Sequence, residues 1–434
     1  MVPRKHIGIF CALVSCFALW GLLNNMTDNL VPAFQKIFGT TQSTAGFVQI
    51  SFYGSYSVIA VFASLLIQKK GYRMGVLTGL GVYVFGALLY IPACIAQSFW
   101  TYIVGIFIVA GGCAVLETTC NPYILALGDR ATAVRRLNFA QMFNPVGSLL
   151  GILLAKEMIL HHVDESIEIA LVWVCVPYVG LCIVAAIIWV VFYALGSCDM
   201  DAVESGATDY REIFSILFRS PRWYLGVVAQ VFYVGVQIAA WTWMNVYCVK
   251  ELAVTPKTAA SYYLIAMSCF IACRWIATFF MKYVNPARMM ALFAALAVAC
   301  SFGVMYLPTK VFVTIGGLPF SWNVVCLVAM SGFMSLMFPT IYGIALGGID
   351  PKAHKIGAAG LIMAIVGGAL LTPWMAQIIG DTGSMWCSLT SGFDATWDTT
   401  LKLSQVSLRA SFVVPAICFT VVFVYAMIFN RKDK

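Results

Sequence analysis

Long apolar runs alternate with short polar ones along the whole chain, and this pattern limits the fold more than any other feature. A helix that crosses the hydrocarbon of a bilayer needs about 20 apolar residues in succession. Twelve such runs are found, roughly at 7–35, 45–68, 74–95, 99–127, 137–160, 169–195, 223–248, 257–281, 287–307, 321–346, 355–379 and 410–429. Hydrophobic residues make up 62% of the chain and charged residues 10%, against about half and about a quarter in a soluble domain. No globular core absorbs that much apolar surface, so the expected fold is all-α and integral to the membrane, with a lipid bilayer as its solvent. The net charge of +8 would suggest nucleic acid only in a soluble protein, and no nucleic-acid partner is expected. The first run follows Arg4-Lys5 and continues to Pro32 without a small-residue cleavage site. It reads as a retained helix, not a signal peptide.

The distribution of charge sets the orientation. One set of loops carries 18 Lys and Arg residues and the opposite set carries 7, with Arg274 inside a run. Basic loops stay in the cytoplasm, which places both termini there and requires an even number of spans. The polar stretch 197–221 divides the chain into 1–196, a cytoplasmic linker, and 222–434. An internal repeat supports the division. Gln68-Lys69 and Arg73 correspond to Met281-Lys282 and Arg288, and Pro122-Tyr123 with Ala126-Leu127-Gly128 corresponds to Pro339, Tyr342 and Ala345-Leu346-Gly347. Parallel six-helix repeats about an axis along the membrane normal build the major facilitator fold, which this pattern resembles. The expected architecture is two six-helix bundles. The fifteen cysteines show no CxxC spacing and read as small packing hydrophobes. A Cys198–Cys387 disulfide is not expected, because the two residues fall on opposite sides of the membrane.

Three ionisable residues interrupt the runs, and each needs a partner or a water-filled cavity. Asp28 sits in Asn24-Asn25-Met26-Thr27-Asp28-Asn29, about 12 Å inside the outer helix end at 1.5 Å per residue. A lipid-facing helix would not carry so many polar side chains, so this stretch is expected to face the bundle interior. The carboxylate then either caps or bridges helices, or it carries a proton or contacts substrate. Glu117 lies in Leu116-Glu117-Thr118-Thr119-Cys120-Asn121-Pro122, about 20 Å from the cytoplasmic end and so near mid-membrane. Asn121 is on the same face at i+4. Desolvation disfavours the charged form of a carboxyl, a property that a proton carrier requires and that a buried helix–helix bridge shares. Arg274 is expected to be structural, through snorkelling or through pairing with another helix.

Amides and indoles accompany these charges. Asn138, Gln141, Asn144 and Ser148 form one stripe, as do Gln230 and Gln237, with Trp241 four residues on. A sugar presents hydroxyls that both donate and accept, which amides and carboxylates satisfy. Its C–H face suits an indole, for which Trp20, Trp241 and Trp243 are candidates beside the plain reading of interfacial anchors. The second half holds no carboxylate inside an expected span, so proton chemistry is expected in the first half. Gly75/Gly79, Gly147/Gly151 and Gly343/Gly347 are expected to mark close helix packing. His161-His162 reads as a solvated outer loop. Four histidines without HExxH, and the lack of a Walker A sequence, leave no metal site, no cofactor and no enzyme chemistry to expect. A sugar sensor would need an output domain, which neither the tails nor the central loop resembles.

These motifs resemble the fucose permease family, the L-fucose:proton symporters of the major facilitator superfamily. The resemblance spans nearly the whole chain and is strongest at 24–28, 116–122, 136–144, 229–237 and 338–341. It implies that Asp28 is the first-helix aspartate required for proton coupling. It implies that Glu117 links sugar recognition to protonation, and that Gln141, Asn144 and Trp20 line the cavity. Glucose and galactose relatives typically carry glutamine where this chain has Glu117, which favours L-fucose. Thr27 in place of the usual asparagine, Pro145 after Asn144, and a long outer segment 381–408 depart from the pattern. The expectation is a sugar:proton symporter of a bacterial inner membrane, driven by the proton gradient, with no obligatory protein partner. Asp28 and Glu117 would carry coupling. Asn25, Asn121, Gln141, Asn144, Trp20, Gln230, Gln237 and Trp241 would contact sugar together with Glu117. Transport of glucose, galactose or N-acetylglucosamine, coupled to protons or sodium, is the alternative.

Overall fold

The computed structural model describes residues 2–40, 42–45, 47–196, 210–380 and 408–430. Cys198, Cys387, most of the expected linker and the outer segment 381–407 lie outside the described residues.

The helices are α1 (Ile7–Asp28), α2 (Leu30–Phe38), α3 (Gln42–Ala45), α4 (Phe47–Leu88), α5 (Tyr90–Ile95), α6 (Phe99–Ala126), α7 (Ala133–Gln141), α8 (Phe143–Leu154) and α9 (Ile167–Ala194). They continue as α10 (Tyr210–Arg219), α11 (Pro221–Leu252), α12 (Pro256–Phe280), α13 (Pro286–Tyr306), α14 (Trp322–Met334), α15 (Met337–Gly347), α16 (Pro351–Met363), α17 (Gly367–Gly380) and α18 (Val413–Ile428). Among the described residues, eleven helical stretches are long and apolar enough to cross a membrane. One of them, Phe47–Ile95, has 49 residues, about 74 Å of helix for a hydrocarbon layer of about 30 Å. It breaks at Gly71, whose φ of 80° and ψ of 173° lie outside the helical region. A left-handed φ is open to glycine at no steric cost, so the chain reverses there and the stretch supplies two crossings. Twelve crossings result, as the apolar runs predict.

The all-α expectation misses one small element. Strands β1 (Val311–Ile315) and β2 (Leu318–Ser321) pair antiparallel outside the spans. Gly316 and Gly317 join them with φ of 58° and 80°, the two positive values that a tight hairpin turn demands.

Cα packing divides the chain into two units, Met1–Tyr224 with Ala345–Met363, and Leu225–Ile344 with Ala364–Lys434. In the first unit α16 packs on α4 and α6. There Lys355 stands 5.4 Å over the Tyr72 ring, Tyr72 stacks on Tyr123 at 5.1 Å, and the Trp223 indole donates to the Gly357 carbonyl at 2.9 Å. Chain order alone assigns residues 345–363 to the second half.

Two of the three glycine pairs act as close-packing sites. A Cβ on Gly147 or Gly151 of α8 would lie 2.0 Å from the Ala18 carbonyl oxygen or 2.2 Å from that of Leu22, both on α1. In the second half of α4, Gly75 and Gly79 rest against Thr119 and Leu116, the neighbours of Glu117. Gly347 is different: a Cβ there would meet open space, so the third match does not mark packing on that residue.

Two arginines counted as loop charges are in fact buried. Arg136 donates to the carbonyls of Ile124 and Leu125, both at 2.7 Å, and so serves the carbonyls that the end of α6 leaves without helical donors. Arg409 donates to Glu251 Oε2 from Nε at 3.1 Å and from Nη2 at 2.8 Å, with side chains 2% and 0% exposed. The pair ties the C-terminal end of α11 to the start of the last crossing.

Candidate functional site

Proline shapes the site before any ligand is considered. A proline inside a helix removes the N–H that would bond the carbonyl four residues back. Pro32 does this to Asp28, and α1 ends at that residue, with α2 starting at Leu30. Pro145 does it to Gln141, the last residue of α7, with α8 starting at Phe143. Pro122 lies inside α6 and frees the carbonyl of Thr118, next to Glu117. Each carbonyl that a proline frees therefore belongs to, or lies beside, a residue expected to carry function.

Glu117 is buried, with 9% of its surface exposed. Tyr56 of α4 is a neighbour of its carboxylate. The backbone carbonyl of Glu117 accepts from Asn121 Nδ2 at 2.8 Å, and Asn121 Oδ1 accepts from Gln141 Nε2 at 2.9 Å. The i+4 spacing read from the sequence thus becomes a hydrogen-bonded line from α6 to α7. Tyr56 was not legible in the sequence, since a tyrosine in an apolar run carries no sign of what its hydroxyl meets.

Asp28 is half-buried at the end of α1. Its neighbour Thr27 is buried, and its hydroxyl lies 3.0 Å from that of Tyr178 on α9. Among the described residues no Lys, Arg or His forms an ion pair with Asp28 or Glu117, and no hydrogen bond joins the two. Two carboxyls held inside the membrane without a compensating cation favour states in which a proton or a ligand hydroxyl satisfies them.

The remaining first-unit candidates are arranged by the α1–α8 contact. Asn144 Nδ2 donates to the Phe17 carbonyl at 3.3 Å, and Trp20 is buried against Phe17 with ring centroids 4.2 Å apart. Asn25 donates to the Gly21 carbonyl at 3.3 Å, and its own carbonyl accepts from Asn29 Nδ2 at 2.7 Å. Amide groups therefore brace α1 where Pro32 weakens it.

In the second unit, Gln230 is fully buried and neither amide atom has a hydrogen-bond partner among the described residues. Gln237 and Trp241 are half-buried on the same helix. The Trp241 indole donates to Ser331 Oγ at 3.0 Å, and that of Trp243 to the Thr372 carbonyl at 3.4 Å. Both N–H groups are engaged, so what these rings can offer a ligand is their faces. Arg274 pairs with another helix: its Nε donates to the carbonyl of Ser335, and its guanidinium stands 4.6 Å over the Phe270 ring. Ser335 is the residue four before Pro339, in the gap between α14 and α15. The arginine supplies the donor that the proline removes, and Tyr233 Oη adds another at 3.1 Å to the Met334 carbonyl.

Comparison with known proteins places this geometry in context. The Major Facilitator Superfamily profile matches residues 7–373. The chain is 37% identical to the L-fucose-proton symporter of Haemophilus influenzae, covering 98% of this chain and 97% of the relative. It is 30% identical to the L-fucose-proton symporter of Escherichia coli, covering 98% and 93%. A glucose/galactose transporter of Brucella abortus is 24% identical over 99% and 96%. Among solved structures, the Escherichia coli fucose:proton symporter superposes with a TM-score of 0.82 at 27% identity, covering 99% of this chain and 100% of that one.

Proposed function

The chain belongs to the Major Facilitator Superfamily, and from that premise we propose that it imports L-fucose with a proton by alternating access. The observation that carries the reading is the pair of carboxyls, Asp28 and Glu117, held within one membrane unit with no ion pair to either among the described residues. Asp28 would take the coupling proton. Glu117, beside Tyr56, would accept sugar hydroxyls and sense the proton at once. Asn121 and Gln141 would hold α6 and α7 in register, while Asn144 and Trp20 shape the wall beside them. Gln230, Gln237 and the face of Trp241 would contribute the second unit's share of sugar contacts.

The coupling follows from solvation. An ionised carboxylate is costly to enclose and a protonated one much less so. Loading the proton and the sugar from outside therefore lowers the barrier to an occluded state, and the two six-helix bundles, 1–196 and 222–434, then rock around the loaded site. Release inward follows from the lower proton activity of the cytoplasm. Glu117 supports L-fucose as the sugar, and the relatives named L-fucose-proton symporters support it further.

The test is external pH in lightly buffered, de-energised cells after a pulse of L-fucose or, separately, D-glucose, D-galactose or N-acetylglucosamine. L-fucose is expected to alkalinise the medium, and Asp28→Asn to abolish the signal. Glu117→Gln is expected to change sugar affinity and the proton response together. A response to another sugar alone would replace the substrate. Full proton uptake by Asp28→Asn would end the coupling assignment.

A further inference from the structure

Helix α10 has two sides with different surroundings. Ile213 and Leu217, four residues apart, are buried, and α10 packs on α16 of the same unit. The contact is close because α16 presents glycine there. A Cβ on Gly357 would lie 3.0 Å from Leu217 Cδ2, and one on Gly360 would lie 2.6 Å from the Trp223 ring. Phe214 and Phe218 lie outside that contact, 48% and 65% exposed, with ring centroids 6.4 Å apart. Arg211 precedes Phe214 by three residues and Phe218 by seven, so the three share one stripe of the helix. Arg211 is exposed, as is Arg219 at the end of the helix. Glu212, the carboxylate of α10, falls off that stripe.

Aromatic rings and guanidinium groups exposed side by side suit few surroundings. Water hydrates the arginines but leaves the two rings as an apolar patch. The helix cannot turn the rings inward, because Ile213 and Leu217 already hold its other side on α16. Its position supplies the alternative. Ser220 alone separates α10 from Pro221, where a stretch long and apolar enough to cross the membrane begins. The face therefore stands beside the point at which a span enters the bilayer, and Arg222 adds a further basic residue there. A helix with phenylalanine on one side and arginine along its flank lies in the membrane interface, its rings at the acyl-chain boundary and its cations at the phosphates.

We propose that the Arg211, Phe214 and Phe218 face of α10, together with Arg219, is a docking site for anionic phospholipid of the bilayer. The two rings enter the boundary of the acyl chains, and the two guanidinium groups hold the headgroup phosphates by charge-assisted hydrogen bonds. The bound lipid then bears on α16 through the opposite side of α10, and α16 packs on α4 and α6. A ligand that binds the folded unit adds its binding free energy to the stability of that packing. The inference depends neither on the identity of the sugar nor on proton coupling.

The test is the melting temperature of the purified full-length protein in detergent, titrated with phosphatidylglycerol, phosphatidylcholine or glycerol 1-phosphate. Phosphatidylglycerol is expected to raise it more than phosphatidylcholine does, and high salt to remove the difference. Glycerol 1-phosphate, a headgroup without chains, is expected to have no effect. Arg211→Gln with Arg219→Gln should weaken phosphatidylglycerol binding by about thirtyfold, from about fivefold for each basic residue at a membrane surface, and leave the response to phosphatidylcholine unchanged. Phe214→Ser with Phe218→Ser should reduce the response to both lipids. Without lipid, both double variants should melt as wild type does, because the altered side chains are exposed. A full phosphatidylglycerol response in both double variants would refute the site. Equal responses of the wild type to the two lipids would overturn the role of the arginines, and a response to glycerol 1-phosphate equal to that of the lipid would replace membrane docking by a free-phosphate site. A lowered melting temperature of either variant without lipid would show that the face packs within the protein and would also overturn the proposal.

Discussion

Placing a single methyl group at Gly147 should cost the protein most of its transport. Its Cβ would sit 2.0 Å from the carbonyl oxygen of Ala18 and 2.8 Å from the carbonyl carbon, both backbone atoms of α1. Ordinary contact begins near 3.4 Å, so α8 must retreat from α1 by about 1.4 Å, and no side-chain rotation can absorb the clash. Overpacking of this kind destabilises by ~1–3 kcal/mol. The retreat would also pull Asn144 off the Phe17 carbonyl, a bond already at 3.3 Å. A shift of about 1 Å at a site that must orient a ligand is enough for roughly a hundredfold loss of rate. The measurement is L-fucose counterflow in proteoliposomes, with melting in detergent alongside. Gly54→Ala and Gly81→Ala are matched controls, since a Cβ at either position meets nothing within 4 Å. Wild-type counterflow and melting in Gly147→Ala would refute the close α1–α8 approach and the site built on it.

Two further predictions concern the second unit. Arg274→Met should lower stability by ~1–3 kcal/mol by leaving the Ser335 carbonyl without its charged donor, and adding Pro339→Ala should restore much of the loss by returning a backbone N–H; a double variant no more stable than Arg274→Met would sink the pairing. Removing one member of the Glu251–Arg409 pair, as in Arg409→Met, should destabilise by ~3–5 kcal/mol, whereas Glu251→Leu with Arg409→Met should recover most of it, because the desolvation of both charges is then avoided. Equal melting of the single and double variants would show that the pair is not the source.

What the sequence revealed, and what it hid, follows from what each residue must satisfy. Twelve crossings were legible because an apolar run of membrane length has few alternatives. Asp28 and Glu117 were legible because a carboxylate in such a run is costly. The Asn121–Gln141 bond was half visible: the i+4 step put Asn121 on the face of Glu117, but which side chain of α7 would meet it depended on packing. Tyr56 and Tyr178 were invisible. A tyrosine belongs equally in a core, at an interface or in a network, and only the position of its hydroxyl separates these cases. Arg136 and Arg409 were misplaced for a related reason. A charge near the end of a run counts as solvated until the structure shows the carbonyls or the carboxylate that enclose it.

The prolines connect these two levels. Each of Pro32, Pro145 and Pro339 leaves without a helical donor the carbonyl of a residue at which the chain breaks: Asp28, Gln141 and Ser335. In the first unit those breaks stand at the proposed coupling and binding residues. There amide side chains brace the backbone, Asn29 onto Asn25 and Asn25 onto Gly21, and Gln141 meets the side-chain oxygen of Asn121. In the second unit a buried guanidinium takes the freed carbonyl outright. A neutral amide can exchange its partner for a sugar hydroxyl at little cost, whereas a buried charged donor cannot leave its acceptor without being stranded. The same backbone device therefore has two outcomes. It leaves the first unit with adaptable breaks where proton and sugar are proposed to bind, and it leaves the second with a break that is locked.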